Sequence, residues 1–295
     1  LNNLRRDALE SIAKSISKSF RRRRPEKEIH KDEIIKKENV EEIFSCITKD
    51  QAKALIECGA KNIAFDLFSR EINALREKDL VELYERHKDD VKFYVKTSTI
   101  VKGEFNSVCN TINKVKPYIK GIISSNVGII NVFKDELYII GDYKLNIMNS
   151  QSLKFYQNDI ELPTLSIELN RGEIKALAKK AKGNMAMIVY GKPELMISEY
   201  CPIGSTFGGK DTEKKCNIAC SKDKFTLIDR VNERLRVMTD LYCRSYILNP
   251  VPLNLFDEID SIKEFGITSL RFDFRDESYD DVKNIYNIYK NKLYF

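Results

Sequence analysis

The sequence predicts an α/β protein built as a (β/α)8 TIM-like barrel, with a long cysteine-bearing excursion between strands seven and eight and a basic helix in front. Three observations carry this. Short β-rich runs alternate with helical patterns from residue 41 onward, as βα units on a parallel sheet do. Eight such runs fit the roughly 250 residues usual for the closed barrel. No G-x-G-x-x-G or Walker-type loop follows any run, so the competing doubly wound, nucleotide-binding sheet lacks its signature.

The elements follow in order. Apolar Leu4, Ile12, Ile16 and Phe20 mark a helix over 1–24 that ends in four arginines before Pro25. Residues 25–40 are almost all charged and read as a linker, which divides the chain into a leading segment, 1–40, and a barrel, 41–295. Strands are expected at 41–48, 62–68, 91–98, 118–125, 136–140, 163–168, 184–190 and 267–274. Helical patterns separate them, and a closing helix covers 279–290. Between the seventh and eighth strands the chain is turn-rich and reads as irregular.

Composition narrows the chemistry. The two histidines, His30 and His87, sit in charged stretches and read as solvated surface residues. Histidine is the usual general base near neutral pH, so a conventional Ser-His or Cys-His hydrolase and an HExxH protease are disfavoured. The net charge of +6 and the arginines at 21–24 give a mild bias toward polyanions. No apolar run nears the roughly 20 residues of a spanning helix, and no secretory h-region is seen, so a cytoplasmic protein without membrane partners is expected.

A barrel carries its active site where strands end and βα loops begin. That rim holds Ser124, Asn126, Asp142, Asn146, Asn149, Glu168, Arg271 and Asp273. Glu168, Asp142 and Asn146 are the candidate catalytic residues, with Glu168 handling the proton. Asn149, Ser124, Asn126, Arg271 and Asp273 are the candidate substrate contacts.

Of seven cysteines, Cys46, Cys58 and Cys109 stand singly in strand or helix patterns and read as small buried hydrophobes. Cys201, Cys216, Cys220 and Cys243 fall in the excursion, spaced C-x14-C-x3-C-x22-C, within a candidate metal-binding region at 199–250. Paired C-x2-C knuckles and a nearby histidine, usual for structural zinc, are missing. The spacing suits an iron–sulfur cluster at least as well. Zinc, two disulfides and unrelated cysteines stay open on spacing alone.

The stretches VYGKPELMISEYCPIGS, KKCNIACSKDKFTLIDR and LYCRSYILNPVPLNLFDE resemble the collagenase-like peptidase family U32. GDYKLNIMNSQS, PTLSIELN and GITSLRFDF resemble its barrel strands, so the likeness spans about 120–275. NNLRRDALESIAKS resembles the tail of the inserted collagenase segment of long members, which together with a start at Leu1 implies a longer polypeptide upstream.

The resemblance implies more than the family name. Better-understood relatives are cluster-containing proteins of oxygen-independent hydroxylation, acting on pyrimidines of transfer or ribosomal RNA or in ubiquinone synthesis. Carried over, it assigns Cys201, Cys216, Cys220 and Cys243 to a [4Fe–4S] cluster, with zinc as the alternative, set over the barrel mouth. It implies an RNA or small aromatic substrate. The sequence departs from shorter relatives at Ser198 and Glu199, where they carry further cysteines, which leaves the subfamily substrate open. Two other readings stand beside it: a collagenase-like peptidase, and a structural or RNA-docking half of a larger enzyme.

Overall fold

The computed structural model describes residues 2–20, 41–181, 183–209 and 215–292. The chain divides into two units, Leu1–Ile35 and Lys36–Phe295. In the first, α1 (Asn2–Phe20) is a single helix whose residues are all exposed, apolar Leu4, Leu9, Ile12, Ile16 and Phe20 included. The arginines at 21–24, His30 and the predicted linker lie outside the described residues.

In the second unit, eight strands form the expected barrel. They are β1 (Glu42–Cys46), β2 (Asn62–Asp66), β3 (Lys92–Lys96), β4 (Gly121–Ser124), β5 (Tyr138–Gly141), β6 (Leu162–Pro163), β7 (Ala186–Gly191) and, late in the chain, Ser269–Asp273. Each neighbours the next in parallel register, and the last lies between β7 and β1. A parallel bridge between Thr164 and Ala186, with Leu165 N donating to Ala186 O at 2.9 Å, joins β6 to β7 and closes the ring.

Helices α2 (Lys49–Glu57), α3 (Glu77–His87), α4 (Phe105–Val115), α5 (Val127–Phe133), α6 (Ser150–Tyr156) and α7 (Arg171–Lys180) follow successive strands. Four of them start on side-chain caps whose residue types permit it: Thr48 on α2, Asn126 on α5, Asn149 on α6 and Asn170 on α7. His87 ends α3 at the surface, partly exposed.

Strand alternation sorts the side chains. Ile43, Ala64, Tyr94, Ile123, Ile140, Leu162 and Ala186 form one apolar cluster that plugs the barrel. Phe44, Phe65, Val95, Ile122, Ile139, Val189 and Phe272 point the other way, into the helix layer. There Phe44 stacks on Phe272 at 4.6 Å, and Tyr289 meets Phe272 at the same distance. Each such fully buried side chain contributes roughly 1.5–3 kcal/mol. Two residues beyond five of these seven plug positions the interior turns polar: Ser45, Asp66, Lys96, Asp142 and Thr164.

The segment between β7 and the eighth barrel strand differs from the expectation of an irregular excursion. It carries β8 (Glu194–Ser198), α8 (Pro202–Thr206), β9 (Phe225–Ile228), β10 (Arg234–Thr239) and β11 (Ser245–Leu248). The four strands form an antiparallel sheet ordered β8-β11-β10-β9. A two-residue strand, β12 (Leu253–Asn254), then pairs antiparallel with β7. The chain ends through α9 (Ile259–Glu264), the eighth barrel strand, now β13 (Ser269–Asp273), and α10 (Tyr279–Lys292). The predicted sixth strand is also shorter than 163–168: pairing stops near Leu165, and Glu168 lies in the exposed loop after it. Among the described residues no helix is long and apolar enough to cross a membrane.

Candidate functional site

The polar upper interior is a network of buried ions. Arg271, on β13, is fully buried; it donates to Asp142 Oδ1 at 2.7 Å, to Thr164 Oγ1 at 3.0 Å and to Asp273 Oδ1 at 3.3 Å. Lys96 Nζ donates to the other oxygen of Asp273 at 2.6 Å. Burial alone would raise the pKa of Asp273, but Lys96, Arg271 and Arg275 outweigh it and hold the carboxyl far below its usual range. Asp142 is held down in the same way, by Arg271 and Lys96 against burial.

Asp66 behaves oppositely. Its Oδ1 accepts Phe68 N at 2.9 Å, and its Oδ2 stands 3.9 Å from Arg275. Burial raises its pKa, and the cations offset only part of that rise.

The antiparallel sheet lies over this mouth as a cap. Glu194 of β8 accepts from Arg275 at 2.7 Å and from Lys144 after β5. Arg236 of β10 bonds Glu71, and Arg244 forms an ion pair with Glu104 at 2.5 Å. Ser69 and Asp240 form a bridge, with Leu241 N donating to Phe68 O at 2.8 Å. Ile47 and Ala74 pack on Met238, Tyr246 and Leu248 beneath the sheet. Between cap and mouth remains a cavity of about 20 Å³, bordered by Asp66, Lys96, Thr97, Tyr246 and Arg275. That volume holds about one water molecule.

Cys201 and Cys216 meet at one corner of the cap, with the turn of Cys220 packed beside them. Cys201 begins α8, and its Sγ accepts Gly204 N at 3.2 Å. Cys216 Sγ accepts Ile218 N at 3.4 Å. Both sulfurs flank Gly204, where an added Cβ would stand 3.4 Å from one and 3.6 Å from the other. Cys220 lies in a 3-10 turn, Ala219–Ser221, packed against α8. Pairing of Ser245 with Ser198 brings Arg244 to 3.6 Å from Glu199, and Cys243 lies in the turn before β11 with a left-handed φ of 64°. All four are free thiols, half-buried.

Four thiols with backbone N–H donors on two of them make a donor set that fits an iron–sulfur cluster or zinc in chemistry. Among the described residues, however, no three His, Cys, Asp or Glu side chains are drawn into one coordination sphere.

Phe207, at the end of α8, rests on Phe225 of β9 at 5.2 Å. Phe225 shares a sheet face with its partner Val237, whereas Arg236 and Met238 face the barrel. Phe207 therefore packs on the Phe225–Val237 face of the sheet.

The remaining predicted residues divide. Asp142, Arg271 and Asp273 meet in the interior. Ser124 does not join them: Ile123 points inward, so Ser124 faces outward, where it bonds Thr97 at 2.9 Å and accepts Asn126 N. Asn126 caps α5 and Asn149 caps α6. Asn146 adopts a left-handed φ of 55° after a 3-10 turn, and its Oδ1 accepts Ser166 Oγ at 3.3 Å. Glu168 is exposed, and its backbone N–H donates to Ser166 Oγ at 3.3 Å.

Lys96, Glu194 and Arg275 were not singled out from the sequence, although strand alternation counted from the plug positions would have found Lys96. Of the three remaining cysteines, Cys46 and Cys109 are buried as expected and Cys58 is half-buried at the end of α2.

Comparison with known proteins gives consistent matches. The model for peptidase family U32 matches residues 44–294. An uncharacterized protease of Methanocaldococcus jannaschii is 23% identical over 255 residues, 83% of this chain and 61% of that protein. A protein named collagenase from Porphyromonas gingivalis is 22% identical over 272 residues, 81% of this chain and 62% of that one. The chain thus spans about three fifths of the length of these relatives. A solved U32 peptidase superposes with a TM-score of 0.49 at 9% identity, covering 85% of this chain and 100% of that one. Phosphoribosyl anthranilate isomerase of Thermotoga maritima gives 0.47 at 10%, covering 85% and 99%.

Proposed function

The chain belongs to peptidase family U32, and from that membership we propose that it is an iron–sulfur protein supporting oxygen-independent hydroxylation of an RNA base or a small aromatic compound. The observation that supports the reading is the approach of Cys201 and Cys216 to Gly204, each sulfur accepting a backbone N–H, with the turn of Cys220 packed against α8 and Cys243 as the fourth thiol of the segment. Such donors are the usual company of cluster ligands. Those four residues would hold the group, which supplies one-electron chemistry when bound.

The barrel's own residues do the rest. Lys96, Arg271 and Arg275 fix the carboxylates of Asp142, Asp273 and Glu194, giving a rigid polar floor. Asp66 is the better choice than Glu168 for holding a proton, because it borders the cavity and burial favours its neutral form. A cavity the size of one water admits a substrate only when the cap shifts from the mouth.

The test is iron and acid-labile sulfide content with a visible spectrum, after anaerobic purification, of wild type and Cys216→Ala. Iron and sulfide near four per chain, lost in the variant, support the reading. Stoichiometric zinc would make the corner a structural clip, and absence of any metal would sink the cluster.

The names of the two relatives favour a second reading, a collagenase-like peptidase. Cleavage of gelatin that withstands loss of all four cysteines would decide for it.

A further inference from the structure

We propose that α1 lies on the surface of an anionic lipid bilayer, with its apolar side chains among the acyl chains and its cations against the headgroups. The proposal is independent of the reaction assigned above. No residue of α1 is buried, and Leu4, Leu9, Ile12, Ile16 and Phe20 are each between 53% and 80% exposed. A 19-residue helix that buries no side chain is marginal in water, so its apolar side calls for a covering surface.

The pattern around the helix names that surface. Leu4, Ala8, Ile12, Ile16 and Phe20 recur at every fourth residue with Leu9 and Ala13 beside them, so all seven share one half of the helix. Arg6 and Lys18 stand near the two borders of that half, where a long side chain reaches a headgroup while its stem stays apolar. Asp7 and Glu10 stand on the opposite half, where Lys14 pairs with Glu10 at 3.6 Å. A helix that is apolar on one side and basic at its borders lies in the plane of the lipid interface. Arg5 alone interrupts the apolar half, near the end of the helix.

The charge of the chain agrees. Of its fifty basic and forty-four acidic side chains, eight and two fall in residues 1–24. The remaining forty-two of each sign cancel, so the whole excess of +6 belongs to this end of the sequence. Anionic headgroups attract such a segment. RNA would attract the charge as well, but it offers the exposed apolar side chains no apolar phase to enter, and that decides for lipid. The expectation of no membrane partner rested on the lack of a spanning run, which a helix lying in the surface does not need.

Co-sedimentation of the full chain with vesicles reads the result. Wild type is expected to pellet with vesicles of phosphatidylcholine and phosphatidylserine, less so as salt rises, and to stay in solution with phosphatidylcholine alone. Ile12→Ser and Ile16→Ser each remove an apolar side chain and leave the charge unchanged, and each weakens binding about tenfold. Neither should move the unfolding transition, because no α1 side chain is buried. The chain holds no tryptophan, so Phe20→Trp reports from α1 alone, and its emission shifts to the blue on the anionic vesicles. A wild type that fails to pellet with anionic vesicles overturns the proposal, and so does binding indifferent to both serine variants. An RNA homopolymer held equally by wild type and both variants, with the tryptophan still in water on vesicles, would make α1 a polyanion-binding helix instead.

Discussion

Arg271 donates to Asp142 at 2.7 Å inside the barrel, and the arginine has no solvent exposure at all. Two ions at this depth persist because each neutralises the other and because Thr164 and Asp273 take further donors of the same guanidinium. Removing one member strands the others.

Arg271→Met should therefore lower the unfolding free energy by about 3–5 kcal/mol in urea titration, the usual result of leaving a buried carboxylate unpaired. Lys96→Met should cost less, since Asp273 keeps Arg271 and Arg275 as partners. Equal costs, or a neutral Arg271→Met, would show that the network is not held together through this arginine.

The same carboxylates set the acid limit of stability. Asp142 and Asp273 titrate below their unfolded values when folded, because the cations around them outweigh burial. The unfolded chain then binds more protons near and below about pH 4, so their contribution is present above that pH and is lost as pH falls through the folded values. Urea unfolding from neutral pH down to about pH 3 should show this slope, flattened in Asp273→Asn.

Asp66 has the opposite sign. Its folded pKa is raised by burial, so its contribution is present below the unfolded value and is lost as pH rises through the folded one. Asp66→Asn should melt higher than wild type at pH 8, with the gap closing toward pH 4. A variant that melts lower at both would mean that the 3.9 Å contact with Arg275 outweighs burial.

These residues also show how far the sequence could be read. The eight barrel strands were legible because βα alternation survives in short β-rich runs such as NIAFD and KFYVK. The face of each strand was harder: a rim position names a loop, not a direction, so Ser124 was chosen although Ile123 points inward beside it. The cap sheet was missed because its strands are four to six residues long and lie among glycines, cysteines and charged turns. Pairing across the fold, as in Arg236 with Glu71, has no local signal at all.

Gly208 tests the cysteine corner. A Cβ there would come within 2.7 Å of Cys216 Sγ and 2.6 Å of Gly204 O. Gly208→Ala must push the sulfur or the backbone aside, at a cost of roughly 1–3 kcal/mol. Cys216 should then react faster with a thiol reagent than in wild type, and metal retained after purification should fall. Gly204→Ala, with sulfurs no nearer than 3.4 Å, should leave both readings almost unchanged.

The caps separate structural from chemical roles. Asn126 Oδ1 accepts Gly128 N at 3.0 Å and Ile129 N at 3.1 Å, and Asn149 Oδ1 accepts Gln151 N at 3.0 Å and Ser152 N at 2.9 Å. Both carboxamides are thereby occupied in starting helices of only seven residues. Asn126→Ala and Asn149→Ala should each cost about 1 kcal/mol of stability, as lost caps do. Glu168→Ala, on an exposed loop, should stay within about 0.5 kcal/mol of wild type. Substrate binding measured on the folded variants then discriminates: a loss at Asn149→Ala larger than the cap accounts for would return it to the site, and a loss at the stable Glu168→Ala would restore Glu168 over Asp66 as the proton-handling carboxyl.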